Sequence, residues 1–348
     1  MELPFQPSPP EAPHFDQGRN AWILGHYVEV HAALREPALY QASAQNEMTG
    51  IDHAQLHAQV QADIARMTAA EWRAQMERSA SVLMDHASHG QPINLVSEII
   101  QPWSVDLMLS LNGDGPVTAK RLTRIAGRLF YRRGPSSLKT PGHIFSNKWY
   151  VWRHRAAAAQ LERMLQQRQL LISKSMFSGM TQTLPSFLAK AWLALLQHPE
   201  QLKKLMNEPE LMPGATEELL RYAGIVHTLY RQASSNVRIG ETEISKGQGV
   251  ILKMASANFD PAKFDRPYEL DITRRPAGQM GLGDGLHACV GAALVRTGFA
   301  VITPLFLASA PTLEPDTPVV WTNDTTLHWP LAVFARMQRQ HINISGQD

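Results

Sequence analysis

The most informative stretch of this chain is Leu282-Gly283-Asp284-Gly285-Leu286-His287-Ala288-Cys289-Val290-Gly291. It contains the only cysteine of the 348 residues. A lone cysteine is usually a small buried hydrophobe, but three glycines in so short a window are typical of a tight loop and weaken any regular element. Backbone N–H groups that turn toward the sulfur favour the thiolate, which is the form that binds metal. One thiolate is enough to be the axial ligand of a haem iron, and His287 could then meet a haem carboxylate.

The loop resembles the haem-ligand loop of the cytochrome P450 family, Phe-x-x-Gly-x-Arg/His-x-Cys-x-Gly, with Leu282 at the phenylalanine position. The resemblance implies a mostly α-helical protein with a minor β portion, in which haem b lies between distal and proximal helices. It implies Cys289 as the metal ligand. The cofactor would also contact His287 and the three loop glycines, Gly283, Gly285 and Gly291.

Composition is that of a globular protein, with 44% apolar residues, 18% charged residues and a formal charge of +2. The near-neutral charge argues against bulk nucleic-acid binding, and no apolar run is long enough to span a bilayer. One cysteine excludes an internal disulfide and suits the cytoplasm. We expect a proline-rich arm over residues 1–14 and a single domain over 15–348.

Periodicity predicts helices over most of the chain. A short strand is expected at 21–25, helical patterns at 53–85, 96–112, 117–131 and 292–306, and two small strands between 237 and 253. A long helical stretch from 148 to 197 should break chiefly at Pro185.

A charged pair upstream of the loop tests the resemblance. Glu218 and Arg221 lie three residues apart, which on a helix is ordinarily a surface pair. Their place before the small strands resembles the Glu-x-x-Arg motif that braces the ligand loop in the family. The family's third member, an arginine, falls on Glu269 here, and Arg266 is the nearest substitute.

Further basic residues match family positions that bind the haem propionates. Arg231 resembles the family's propionate-binding arginine, for which bidentate pairing is the natural chemistry. His53 and His57 resemble a His-x-x-x-Arg motif on another helix, with His57 where arginine is usual.

The segment that handles oxygen departs from the family pattern. Ala/Gly-Gly-x-Asp/Glu-Thr falls on residues 179–183, with Thr183 at the alcohol position and Gln182 in place of the acid. The family's acid and alcohol help to deliver protons to dioxygen, and glutamine can hold a water but cannot release a proton. Pro185 cannot donate to the Thr181 carbonyl, which predicts a kink beside Thr183.

Alignment with the family implies that three segments of the chain line the substrate pocket. The expected lining residues are Phe177, Met180, Ile225, Val226, Leu229 and Thr326. Two regions are shorter than is usual, between Pro37 and His53 and before the oxygen-handling helix, and this predicts a wider pocket unless a partner bearing the substrate covers it.

The sequence leaves three functions open. A monooxygenase would oxidise a small organic molecule, free or presented by a carrier protein, with dioxygen and electrons from a ferredoxin-type partner and its reductase, in secondary metabolism. The missing acid also suits oxidative coupling, isomerisation or a peroxide-driven step. A haem or docking module without catalysis is the third reading, which the joint retention of Cys289, His287, Arg231 and Thr183 opposes.

Overall fold

The computed structural model describes residues 7–40, 53–86, 90–112, 119–130, 143–167, 169–315, 317–322 and 326–338. Its α-helices are α1 (Tyr27–Arg35), α2 (His53–Ile64), α3 (Ala69–His86), α4 (Gln101–Asn112), α5 (Ala119–Phe130), α6 (His143–Gln166), α7 (Lys174–Ser178), α8 (Leu184–Gln197), α9 (Pro199–Asn207), α10 (Met212–Tyr222), α11 (Met254–Asn258) and α12 (Ala292–Ala308). Two π-helical turns, Val96–Ile100 and Gly179–Thr183, lead into α4 and α8.

The β portion is small and spread over four short sheets. Its strands are β1 (His14–Asp16), β2 (Ala21–Leu24), β3 (Leu39–Tyr40), β4 (Pro92–Asn94), β5 (Leu229–Ala233), β6 (Val237–Ile239), β7 (Thr242–Ile244), β8 (Gly249–Leu252), β9 (Thr312–Leu313), β10 (Val320–Trp321), β11 (Pro330–Ala332) and β12 (Phe334–Arg336). The largest sheet has the order β1-β2-β8-β5-β3, in which only β2 and β8 run parallel.

Helix α8 is the centre of the main apolar core. Every residue from 184 to 196 is buried, as expected for a helix that is hydrophobic on all sides. Trp192 of α8 stacks on Phe306 of α12 with ring centroids 4.0 Å apart. A second, smaller core lies between α1 and the largest sheet and includes Val30, Leu34 and Leu252.

The structure confirms a mostly helical fold and corrects several boundaries. The strand at 21–25 and the helix after the cysteine are present. The pattern at 53–85 forms two helices, and the long stretch breaks between α6 and α7 rather than at Pro185. Ser173 explains the break between α6 and α7. Its side chain accepts a hydrogen bond from Met176 N at 3.1 Å and so caps the start of α7.

The proline-rich arm ends one residue earlier than expected, because β1 begins at His14. The described part of the arm packs on the body of the protein. A Cβ on Gly25 would meet the backbone of Glu11 at 2.8 Å, so glycine permits this close approach. Among the described helices, none is both long and apolar enough to cross a membrane.

Candidate active site

The loop before α12 holds Cys289 in a fixed backbone frame. Cys289 N donates to Leu282 O at 2.9 Å, and Ala292 N donates to Cys289 O at 3.2 Å. Gly283 has φ +73°, in the left-handed region that glycine adopts without strain. Gly291 lies against the sulfur, since a Cβ there would be 3.9 Å from Cys289 Sγ. The cysteine is thus presented at the end of a turn, directly before the helix.

The sulfur of Cys289 is accessible, because the residue is exposed. Neighbouring protein atoms still desolvate it enough to raise the pKa of the thiol, and this effect exceeds the opposite effects of the Gly291 N–H and of Arg296. The expectation that loop N–H groups favour the thiolate is therefore met only in part. One such donor acts on the sulfur, and it does not by itself make the thiolate the preferred form.

Helix α1 braces the ligand loop through Asp284. Its carboxylate accepts hydrogen bonds from Arg35 Nε at 2.9 Å and Nη2 at 3.2 Å, and His31 Nε2 lies 2.9 Å away. Gly285 has φ +65°, and a Cβ there would be 2.4 Å from Leu34 O. Gly285 therefore has a packing role against α1, a contact that the motif alone did not reveal.

The buried Glu218 pairs with two arginines, and the second is not the one expected. Arg221 donates to both oxygens of Glu218 at 2.7 Å, and both side chains are fully buried. The second partner is Arg274, whose Nε lies 3.1 Å from Glu218 Oε1. Arg266, the substitute expected from the sequence, is wrong because it is mostly exposed and pairs with Asp265 and Glu269.

The same contacts tie α10 to the chain that precedes the ligand loop. Arg221 Nη1 donates to Asn258 O at 2.9 Å and to Pro267 O at 2.8 Å. Arg274 also donates to backbone carbonyls of the 265–269 turn. The pair predicted to brace this region does so by satisfying buried carbonyls.

Arg231 is the strongest indication of an anionic cofactor. It lies on β5, is 3% exposed, and donates to Tyr230 O at 3.0 Å. Its burial lowers the pKa of the guanidinium. Within the described residues no carboxylate pairs with it, although an unpaired buried charge is costly. A cofactor carboxylate at this position would remove that cost, so the residues present fit a haem propionate.

The other predicted propionate ligands are less well defined. His287 is half-buried in a 3₁₀ turn, Gly285–His287, beside the cysteine. His57 is half-buried on α2, which packs against α7. The side chain of His53 lies outside the described residues. A role for these three histidines stays a prediction.

The segment predicted to handle oxygen is a π-helical turn, in which Leu184 N donates to Gly179 O. The irregularity lies just before Pro185, which occupies the first turn of α8, where a proline costs little. Thr181 donates to Phe177 O at 2.8 Å, so Thr181 back-bonds within the helix. Thr183 instead is exposed although α8 is buried, and Gln182 is half-buried.

Two expected pocket residues lie elsewhere. Phe177 is 0% exposed and Met180 is 4% exposed, both within the main core. The prediction that they line the pocket is wrong, because both side chains pack into the main core. A Cβ on Gly179 would meet nothing within 4 Å.

The structure brings the two other pocket segments together. Val226 forms a β-bridge with Leu327, and His227 N donates to Thr326 O at 2.8 Å. Val226, Leu229 and Thr326 are half-buried, whereas Ile225 is 5% exposed. The two segments are thus paired, and a role of their side chains in lining a substrate pocket stays a prediction.

The sulfur loop and the π-helical turn lie on elements that touch. Gly298 of α12 packs on Leu184, since a Cβ there would be 3.7 Å from the leucine methyl carbons. Phe299 and Phe187 are also in contact, with ring centroids 5.7 Å apart. Cys289 and Thr183 thus sit on neighbouring helical segments.

Sequence reasoning missed several residues of this region. Arg296 of α12 pairs with Glu217 of α10 at 2.6 Å. Lys190 is 1% exposed in α8 and contacts His227. A lone lysine within the apolar run 184–196 was a signal that could have found it. Within the described ranges, no three histidine, cysteine or acidic side chains converge as a metal site would require.

Comparisons with known proteins agree with this geometry. The family model "Cytochrome P450" matches residues 170–309. "Putative cytochrome P450 126" of Mycobacterium tuberculosis is 37% identical over 147 residues, which are 42% of this chain and 36% of that protein. "20-oxo-5-O-mycaminosyltylactone 23-monooxygenase" of Streptomyces fradiae is 37% identical over 138 residues, 40% of this chain and 33% of that protein. The matched part spans about a third of these relatives.

Similarity to solved structures covers nearly the whole chain. CYP109E1 from Bacillus megaterium, in complex with corticosterone, has a TM-score of 0.76 at 19% identity and covers 94% of this chain and 95% of its own. Streptomyces peucetius CYP105P2, in complex with a biphenyl compound, has a TM-score of 0.74 at 21% identity over 97% of both chains. The chain has the fold of bacterial cytochromes P450, and the part that matches the cytochrome P450 family model, residues 170–309, holds both the sulfur loop and the π-helical turn.

Proposed function

We propose that this chain is a single-domain haem-thiolate monooxygenase over residues 15–348, holding haem b through Cys289. The observation that carries the proposal is the pairing of an accessible sulfur at the end of a braced loop with a buried arginine, Arg231, that has no carboxylate partner among the described residues. Haem would place an iron at the sulfur and a carboxylate at the arginine.

Thiolate-ligated haem supplies an electron-rich iron that favours cleavage of the O–O bond. The protein's own groups would position and protonate. Arg231 would bind a propionate, with His287, His57 and His53 as further partners. Gln182 would hold a water molecule by hydrogen bonds, and the accessible Thr183 hydroxyl would exchange protons with that water. Electrons come from a ferredoxin-type protein and its reductase.

The substrate in this proposal is a small organic molecule of secondary metabolism, free or presented by a carrier protein. Support for this class comes from relatives, one of which is named for the oxidation of a mycaminosyltylactone. A cytoplasmic location is part of the proposal and rests on the absence of paired cysteines.

A second candidate uses the same haem without a full proton relay. Gln182 cannot release a proton, and this single observation favours oxidative coupling, isomerisation or a peroxide-driven step. A haem or docking module without catalysis does not explain the joint presence of Cys289, His287, Arg231 and Thr183.

The carbon monoxide complex of the reduced protein tests the central proposal. The purified wild type should be coloured, and its complex should absorb where thiolate ligation places the band and histidine ligation does not. Cys289→Ser should lose that band. A wild type without haem, or a Cys289→Ser variant that keeps the band, contradicts the proposal. Turnover with a surrogate redoxin pair, compared with turnover with peroxide, then separates the two candidates.

A further inference from the structure

A third of the chain's lysines and arginines lie in one stretch. Residues 119–166, from the start of α5 to the end of α6, contain 11 of the 33 lysines and arginines but one of the 31 acidic residues, Glu162. Glu162 pairs with Lys174, so its charge is compensated. Because the whole chain has a formal charge of +2, this stretch concentrates positive charge on one part of the molecule.

Helix α5 has a basic side that is exposed and an apolar side that belongs to the main core. Lys120 and Arg124 are exposed and lie one helical turn apart. Leu122, Ile125 and Leu129 are buried. The apolar side of this amphipathic helix is therefore already used within the protein, and the basic side faces solvent.

Helix α6 continues the same surface. Its residues Trp152, Arg155 and Arg163 are exposed and lie on one stripe of the helix. Arg121 at the start of α5 donates to Gln169, just beyond the end of α6, at 3.2 Å, so the two packed helices run antiparallel. Since both bury their other sides in the main core, their exposed sides form one surface. We call this surface the basic face, and it consists of Lys120, Arg124, Trp152, Arg155 and Arg163.

The charges of the basic face are not neutralised by the protein itself. Within the described ranges, no carboxylate forms an ion pair with its lysine or its three arginines. Trp152, which is 66% exposed, adds a large apolar side chain. Arginine and tryptophan are enriched at protein interfaces, and a guanidinium pairs with a carboxylate through two parallel hydrogen bonds. The basic face therefore fits an acidic protein.

A membrane surface fits the basic face less well. An amphipathic helix binds lipid by burying its apolar side among the acyl chains while its basic side chains contact the headgroups. The apolar side of α5 is buried in the core and cannot insert. Trp152 is the one large apolar side chain of the basic face, so little apolar area is left for lipid.

The basic face also lies beside the turn that is predicted to handle oxygen. Helix α5 packs directly against the π-helical turn Gly179–Thr183. The turn borders open space, since a Cβ on Gly179 would meet no atom within 4 Å and Thr183 is exposed. A protein docked on α5 would be separated from this turn by about one helix diameter, roughly 10 Å. A flexible tether can span that distance.

We propose that the basic face docks an acidic carrier protein, which delivers the substrate covalently attached to a flexible arm. Carboxylates of the carrier pair with Arg124, Arg155 and Arg163, and Trp152 packs against its surface. This inference rests on the proposed function and deepens it, because it selects a carried substrate over a free one and names the surface that receives the carrier.

Fluorescence anisotropy of a labelled acyl carrier protein, with a decanoyl group on its thiol arm, tests this. Haem-loaded protein, first shown to have the thiolate-type carbon monoxide band, is titrated into the labelled carrier at about 0.15 M salt. The test variant reverses three charges of the basic face, with Arg124→Glu, Arg155→Glu and Arg163→Glu. The control variant makes the same change in charge at exposed sites on other elements, with Lys203→Glu, Arg238→Glu and Lys246→Glu.

Two parallel assays separate the other anionic partners. The same proteins are titrated with vesicles of phosphatidylserine and phosphatidylcholine, and their rates of reduction by an acidic ferredoxin are measured. The haem absorption band is also recorded with the loaded and the unloaded carrier.

We expect the test variant to bind the carrier at least about tenfold more weakly than the wild type, because like charges then face each other across the interface. The control variant should change the affinity less than about twofold, because its charges lie far from the carrier and are screened by salt. Reduction by ferredoxin should be the same in the wild type and the test variant. The loaded carrier should shift the haem band, and the unloaded carrier should not.

The proposal is overturned if the wild type does not bind the carrier, or if the test variant binds it as tightly as the control variant does. An equal loss of vesicle binding or of reduction by ferredoxin would overturn the choice of a carrier as the partner. A loaded carrier that binds without shifting the haem band would overturn delivery of the substrate. Absence of the thiolate-type band in the wild type counts instead against the proposed function, whereas anisotropy measures docking with or without haem.

Discussion

Arg231 shows how one residue can destabilise a cofactor-free protein and still stabilise the same protein once a cofactor is bound. Its charge is buried without a carboxylate partner among the described residues. We expect Arg231→Leu to retain haem poorly while the haem-free protein keeps or gains stability, because replacing a buried charge by an apolar side chain is often neutral or stabilising. Haem dissociation into an acceptor globin and urea unfolding of the haem-free protein measure the two effects.

Arg238→Leu is the control for this prediction, since Arg238 is exposed on β6 and should change neither quantity. Unchanged haem retention in Arg231→Leu contradicts the assignment to a propionate. A purely structural role for Arg231 would instead lower the stability of the haem-free protein.

Gln182 and Thr183 carry the second prediction at this scale. If water held by these residues relays protons, Thr183→Ala should divert electrons into peroxide, because a well-placed proton donor typically contributes about 10²–10⁴-fold. Gln182→Glu restores an acid and should leave the product formed per electron equal or improved. Peroxide and product are measured per NADPH consumed.

If Thr183→Ala leaves the yield of product per electron unchanged, the proton relay is not used. The coupling, isomerising or peroxide-driven reaction then becomes the better proposal. Thr181→Ser is a useful comparison, because it keeps the hydrogen bond to Phe177 O.

Among the elements, the link between α10 and the turn before the ligand loop yields a prediction with an internal control. Glu218 is fully buried and needs both Arg221 and Arg274. Arg274→Ala should cost about 3 kcal/mol of unfolding free energy, because it leaves a buried carboxylate short of one partner. Arg266→Ala should cost less than about 1 kcal/mol, because its ion pairs are exposed. If urea denaturation gave equal losses of unfolding free energy for the two variants, Arg266 would again be the candidate for the arginine that joins Glu218 and Arg221.

We expect the contact of α1 with the ligand loop to weaken at low pH, because it depends on the carboxylate of Asp284. Partial burial raises the pKa of Asp284, but hydrogen bonds from Arg35 and from Gly285 N, together with the nearby charges, lower it below its usual value. A carboxylate with a lowered pKa contributes stability above its unfolded pKa and loses it as the pH falls through the folded pKa.

We therefore expect the free energy of unfolding to fall in the wild type as the pH drops below about 4, and to fall less steeply in Asp284→Asn. Urea unfolding at a series of pH values measures both slopes. Parallel curves for the two proteins would contradict this role of Asp284.

The elements also show what the sequence can and cannot predict. The ligand loop, α12, Glu218 and Arg221 follow from local motifs, since spacing alone places them. Arg274 was missed because its partner is set by how the 265–274 segment folds back on α10. Phe177 and Met180 were misplaced because which face of this helical segment packs into the main core is set by contacts with residues far away in the chain.

At the scale of the whole molecule, two apolar cores meet around the candidate site. The main core is built on α8 and α12, and the second lies between α1 and the largest sheet. Val226 packs against both. The sequence predicted the order of the elements but not this division, because it depends on contacts between residues far apart in the chain.

The two cores should respond differently to removal of haem. Arg231 belongs to the sheet, so its uncompensated charge destabilises β5 and its neighbour β8 when the cofactor is absent. Residues 184–196 of helix α8 are all buried in the main core. We expect amide hydrogen exchange in β5 and β8 to accelerate strongly on haem removal, and exchange in α8 to change little. Reconstitution with haem should restore protection in the strands. Uniform acceleration over both cores would show instead that the molecule opens as one unit, and that the cofactor stabilises the fold without acting chiefly through Arg231.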